Sequence, residues 1–308
     1  MKRMVFLWIM IEAKKATLPN IHATLPKSTW ESRAKDHRKQ INEVLTPYLQ
    51  KKRHQHKDPV LDFLFEYYAF RPSHLRRWSP GAGILFEDAT VESAPAISEF
   101  TLVDDGVFLN AAHFPANRKS SAGWILELLE KSLDKKPSFG CFGMHEWAMV
   151  YKADRVRHNY LSLRMDKEEL AAFVESRPLL CTHFDAFRFF THDAKPMNKF
   201  ELSQQNFAET EQPGCLHTNM DLYKWAFKLF PWISSKSIRE AFFLAVDTRR
   251  IDMKASPYDL RERGLEPIKI ETKEGRLKYA RRQKEIYERS VPIRKQIIEE
   301  YQELIAHF

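Results

Sequence analysis

Glycine is scarce in this chain, at 9 residues in 308. Glycine supplies the positive-φ turns of many-stranded folds and the bare backbone of phosphate-cradling loops. A many-turned all-β fold and a glycine-loop nucleotide fold are therefore both disfavoured. What remains is helical periodicity. Apolar residues recur at helical spacing from Pro26 to about His56, Pro115 to Leu133, Leu216 to Phe230, Ser234 or Ser235 to about Lys254, and Gly275 to about His307. Ser28 followed by Glu31 reads as a capping box for the first of these. A further apolar helix is expected from Pro59. Ile84 to Phe86 and Phe100 to Asn110 read as strands, the latter folded at Asp105-Gly106 like a hairpin, and Ile268 to Glu271 as a possible strand. The expected fold class is mainly α: one helical domain over 28–308 with a small β-hairpin and short strands. A hydrophobic fraction of 44% supplies its core, and no linker composition divides it.

Residues 1–27 read as an N-terminal extension outside the core. The apolar run Met4 to Ile11 sits behind Lys2 and Arg3, is too short to span a bilayer and is followed at once by Glu12, Lys14 and Lys15. No membrane association is expected. Three cysteines, Cys141, Cys181 and Cys215, make no disulfide framework and suit a reducing compartment, so the expected location is the cytoplasm. A net charge of +8 fits an anionic partner, DNA or a nucleotide-like anion, or a surface kept basic for solubility. Basic faces fall on the first helix (Lys35, Arg38, Lys39, Lys51, Lys52) and the last (Arg281, Arg282).

Four clusters carry unusual polar residues. Arg71, Arg77 and Trp78 share a proline-bounded loop, where two cations beside an aromatic suit a phosphate or carboxylate; they could equally cap helix ends. Glu146 enters an apolar segment beside Trp147, as a buried acid or base would. His183, Asp185 and Arg188 lie among four phenylalanines. His217 and Asp221 are i, i+4 neighbours on one helix face, with Tyr223 and Lys224 close behind. His and carboxylate from separate segments is also what a metal site needs: Glu146, His183, Asp185, His217 and Asp221 could bind iron or zinc. The position four after His145 is Met149, so the H-E-x-x-H zinc motif is absent. The run Asp247 to Asp259 places Asp252 and Asp259 either toward a pocket or in ion pairs with Arg249 and Arg261.

Five strings, R-P-S-H-L-R-R-W-S-P-G-A-G, C-F-G-M-H-E-W-A-M-V-Y, C-T-H-F-D-A-F-R-F-F-T, Q-P-G-C-L-H-T-N-M-D-L-Y-K-W-A and D-M-K-A-S-P-Y-D-L, resemble a bacterial family commonly labelled 3-methyladenine DNA glycosylase. The resemblance runs from about Trp30 to Leu304, without the L-P-G-x-G hairpin of helix-hairpin-helix glycosylases. It implies a hydrolase that removes an alkylated purine from DNA in repair. Such chemistry needs aromatic faces for a flipped base and a carboxylate to assist cleavage. On that reading Glu146, Asp185, His217 and Asp221 are catalytic, with His217 orienting a carboxylate. Arg71, Arg77, Trp78, Trp147, Arg188, Tyr223 and Lys224 bind substrate, and no cofactor is required. The alternatives are a metal-dependent enzyme, of iron-dependent oxidoreductase type for example, and a non-catalytic nucleic-acid-binding protein.

Overall fold

The computed structural model describes residues 21–90, 93, 98–156 and 158–308. The chain enters on a short strand, β1 (Ala23–Leu25), and turns at Pro26 into helix α1 (Lys27–Arg53). Pro26 takes the N-cap position and no side chain caps the helix, so the Ser28/Glu31 capping box does not form. The extended strand leads straight into the proline, whose φ near −65° already suits this entry, and Ser28 falls one residue inside the helix. Trp30, Ala34, His37, Ile41, Leu45 and Tyr48 make the buried stripe of α1. The helix expected from Pro59 begins as an α turn held by the Asp58 carboxylate on the Val60 and Leu61 N–H groups. It then widens into a π turn, Phe63–Tyr67, which stacks the Phe63 and Tyr67 rings 4.8 Å apart.

Helix α2 (Pro72–Leu75) interrupts the loop that follows. Strands β2 (Ile84–Glu87), β3 (Thr101–Val103) and β4 (Gly106–Phe108) complete one sheet of order β1-β2-β4-β3, parallel between β1 and β2 and antiparallel elsewhere. At Gly106 (φ 148°) a Cβ would sit 1.8 Å from the Phe86 carbonyl oxygen, so the hairpin closes only on glycine. β1 lies within the stretch read as an extension; it forms the sheet edge while its side chains stay largely at the surface. The Met4 to Ile11 run lies outside the described residues.

The remaining helices are α3 (Ala116–Asp134), α4 (Met144–Ala148), α5 (Lys167–Glu175), α6 (Phe184–Phe187), α7 (Phe207–Thr210), α8 (Leu216–Lys228), α9 (Ser235–Ala255) and α10 (Lys273–Ile305). The architecture is mainly α in a single domain. Ser234 caps α9 through the Ser237 N–H. Ile268 to Glu271 forms no ladder: it is a tight turn whose Ile270 and Glu271 carbonyls accept from Arg276. α8 lies along α9, and α10 packs on both and on α3. Apart from the partly exposed Lys224 and the exposed Lys228, every residue of α8 is buried, which makes it the central helix and carries its polar residues into the core. Among the described residues no helix is long and apolar enough to cross a membrane.

Candidate metal centre

Three short segments deliver polar side chains to the flank of α8 and α9. The first is α4, which starts at Gly143 with φ 77°; a Cβ there would meet Ala255 Cβ at 3.1 Å and the Tyr279 ring at 3.2 Å. This close approach buries His145 and Glu146 against α9. His145 Nε2 lies 2.6 Å from Asp252 Oδ1. Arg249, one turn earlier on α9, donates through Nη1 to Glu146 Oε1 at 2.6 Å and to Asp252 Oδ2. Its guanidinium sits 4.2 Å from the centre of the Phe63 ring.

The second segment is the entry to α6, with His183 preceding the helix and Asp185 in its first turn. The third is α8 itself, which presents His217, Asp221 and Lys224. His183 Nδ1 is 2.6 Å from Glu211 Oε1, an ionic contact out of line for a good hydrogen bond, and the Thr218 hydroxyl donates to the other Glu211 oxygen. His183 Nε2 faces Asp221 Oδ2 at 3.9 Å. Lys224 Nζ donates to Asp185 and Asp221 at 2.9 Å each, and the Tyr68 hydroxyl donates to Asp221 at 2.7 Å. The His217 ring lies between the two groups, edge-on to His145 at 4.3 Å and stacked on His183 at 5.1 Å. Two donor triads result, His145/His217/Asp252 and His183/Asp185/Asp221, each with ligand atoms within 4.8 Å of one another.

Electrostatics follow from burial and pairing. Burial alone would lower the pKa of His145, but the Asp252 carboxylate overrides it and raises it well above 6.5; Glu211 does the same, more mildly, for His183. For His217 the balance goes the other way: burial, then the neighbouring His145, outweigh the pull of Asp252 and hold it well below 6.5. Burial would raise Asp185, but Lys224 outweighs this and holds it below the usual carboxylate value. Burial and then Asp221 push Tyr68 well above 10.

Arg249 and several of these histidines and carboxylates line a small pocket whose outer walls are Phe63, Tyr67, Met149, Phe189 and Tyr258. Glu146, His183, Asp185, His217 and Asp221 are brought together in it, with Lys224 and Arg188 at its border. Arg188 meets Asp185 at 3.4 Å but is half exposed, so this is a rim contact and not a buried pair. Other expected binding residues lie elsewhere. Arg71 and Arg77 are exposed around α2, outside the pocket lining. Trp78 is buried on Phe86 at 5.5 Å, in a small cluster with Trp30 and Val107. Trp147 is fully buried and donates its Nε1–H to the Ala255 carbonyl at 2.8 Å. Tyr223 is equally buried, packed on Phe70 and Phe242. Trp147 and Tyr223 are covered by protein, and Trp78 lies outside this pocket. The i, i+4 pairing of His217 with Asp221 also does not form: Asp221 is taken by Tyr68 and Lys224, and its nearest imidazole is His183.

Glu211, Tyr67 and Tyr68 belong to the site but carry no signal of their own in the sequence, and His145 enters the sequence reading only through the absent zinc motif. Arg249 and Asp252 had a readable signal, opposite charges at i, i+3 on a helix, and the ion-pair alternative is the one they adopt. Asp259 pairs with Arg261 at the surface. Compared with protein-family models, curated proteins and solved structures, the chain matches none.

Proposed function

We propose that this chain is a metal-dependent enzyme of hydrolase type, in which His183, Asp185 and Asp221 hold a divalent transition cation that activates water. The observation that carries the reading is the setting of His183. Its Nδ1 is backed by Glu211, as metal-binding imidazoles are backed by a carboxylate. Its Nε2 faces Asp221 Oδ2 at 3.9 Å, too long for a hydrogen bond, so neither atom is spent on the other; a small inward shift would bring them to the roughly 3.3–3.6 Å that separates two ligands of one tetrahedral ion with bonds of about 2.0–2.2 Å. Charge balance points the same way. Among the described residues, Glu146, Asp185, Glu211, Asp221 and Asp252 are paired by Lys224, Arg249 and Arg188, and the buried Arg294, which donates to the Asn219 amide, also acts on Glu211 through space. The negative charge left over is met either by a proton on an imidazole or by a bound cation. One imidazole with two carboxylates suits iron or zinc, and such an ion brings bound water to a pKa of about 7.

A metal-free N-glycosylase, in line with the family resemblance, is the second reading. It is favoured by Lys224, which already supplies a cation 2.9 Å from both Asp185 and Asp221, and by the aromatic walls that would hold a flipped base. Metal analysis of purified protein and of His183→Ala separates the two. About one equivalent of iron or zinc in the parent and almost none in the variant is expected. Metal-free parent protein that still releases alkylated purine from DNA would overturn the metal reading in favour of the second.

A further inference from the structure

A second, open cleft is lined by Lys51, His56, Lys57, Arg250 and Arg263 among others. Its cations come from three places in the fold: the end of α1 and the turn after it, the outer face of α9, and the turn Arg261–Arg263. Neighbouring lysines and arginines are mostly paired, as Lys52 is with Asp62 and Glu66. Among the described residues, by contrast, Lys51, Lys57 and Arg263 have no carboxylate within ion-pair distance. Arg250 has a weak partner in Asp247 at 3.3 Å. Two acids also line the cleft: Asp58, which spends a carboxylate oxygen on the Val60 and Leu61 N–H groups, and the exposed Glu262. Lys57 and Arg263 lie over the Tyr160 ring, at 5.6 and 5.5 Å from its centre, and Arg263 also donates to the Lys57 carbonyl at 2.7 Å. The ring restrains both side chains and the bond anchors Arg263, so less is lost in ordering them around an anion.

The same chain segments reach both sites: Leu61 lines the cleft and Phe63 the pocket, and Arg250 lines the cleft and Arg249 the pocket. Tyr160, which Lys57 and Arg263 lie over, follows His158 of the pocket lining by two residues. We propose that this cleft binds the phosphate groups of a small organic di- or triphosphate whose reacting end enters the pocket. Unpaired, preorganised lysine and arginine at one spot is the arrangement that phosphate oxygens satisfy by charge-assisted hydrogen bonds. That the phosphates belong to the substrate rests on the metal-pocket reading; the affinity of the cleft for phosphate does not.

Tripolyphosphate titrated into the full-length protein by calorimetry tests this directly, with metal content measured on the same samples. Binding is expected in the parent. Lys57→Glu with Arg250→Glu, both exposed positions, should weaken it at least tenfold while leaving metal content and melting temperature unchanged. Arg281→Glu with Arg282→Glu, equal in charge but on α10, should leave it within twofold. No binding to the parent, or equal weakening by both pairs, overturns the proposal. So does an oligonucleotide that binds much more tightly than tripolyphosphate and loses affinity through the same two residues, which would assign the cleft to a nucleic-acid strand. Metal loss in the parent with tripolyphosphate binding intact would strike the pocket reading alone.

Discussion

Replacing Asp221 by Asn keeps the side-chain shape and removes one charge at the centre of the site. Asp221 is 3% exposed and accepts two hydrogen bonds, from Tyr68 at 2.7 Å and Lys224 at 2.9 Å. Both partners are donors, so the amide of Asn keeps one bond and turns an N–H₂ toward the other. A hydrogen bond to a charged group contributes about 1.5–3 kcal/mol. Full rupture of a buried ion pair costs about 3–5 kcal/mol, but Lys224 keeps Asp185 at 2.9 Å and so does not become an unpaired charge. The expected loss is therefore about 2–3 kcal/mol, against a usual total of about 5–15 kcal/mol, and the variant folds. A fall in melting temperature of roughly 5 °C corresponds to that loss in a chain of this size. The loss of metal should be far larger in proportion. Changes to outer-shell groups alone weaken metal binding about 10–100-fold, and Asp221 is a proposed ligand. Urea titration and metal analysis of parent and variant read the two effects separately. An Asp221→Asn protein that keeps its metal and its activity would refute the placement of Asp221 in the centre; loss of activity with no metal in either protein would refute the metal and leave the carboxylate.

The raised pKa values of His183 and His145 give the pH dependence its sign: their ion pairs stabilise the metal-free fold fully below pH 6.5, and this contribution is lost as pH rises through the elevated folded values. Melting temperatures of chelator-treated protein should thus fall from pH 6.5 to more alkaline pH while those of metal-loaded protein stay nearly level; a rise in the chelated series would contradict it. Arg249→Met should lower the urea midpoint by the equivalent of about 3–5 kcal/mol, because Glu146 and Asp252 lose their shared cation inside the core, and a Met variant as stable as the parent would show that the pairing does not matter. Trp78→Ala should cost about 3–5 kcal/mol through the cavity beside Phe86 and leave metal content unchanged, since this ring is core and no part of the site.

Local physics made much of the fold readable in the sequence. Few glycines and helical apolar spacing mark α1, α3, α8, α9 and α10, and proline or a serine cap places most of their ends within two or three residues. These signals act between near neighbours in the chain, so they survive without tertiary knowledge. The π turn at Phe63–Tyr67 and the turn at Ile268 to Glu271 did not: the first follows Asp62, which Tyr48 holds from 14 residues away, and the second is closed by Arg276 five and six residues on, a local bond that apolar spacing does not report. The site was half legible for a related reason. Glu146, His183, Asp185, His217 and Asp221 stand out because charge within an apolar run must find a partner when buried.

Which partner each finds is not a local matter. Glu146 meets Arg249 across 103 residues, His145 meets Asp252 across 107 and Asp221 meets Tyr68 across 153. Aromatic residues are the clearest case. Trp147 and Tyr223 are as suited to stacking a ligand as Phe63 and Tyr67, yet the first two fill the core and the others wall the pocket. Sequence determines that these rings must be removed from water; only the packing of α4, α6, α8 and α9 decides whether a ring is covered on both faces by protein or left with one face toward a ligand, because that depends on the gap between elements and not on the residue itself.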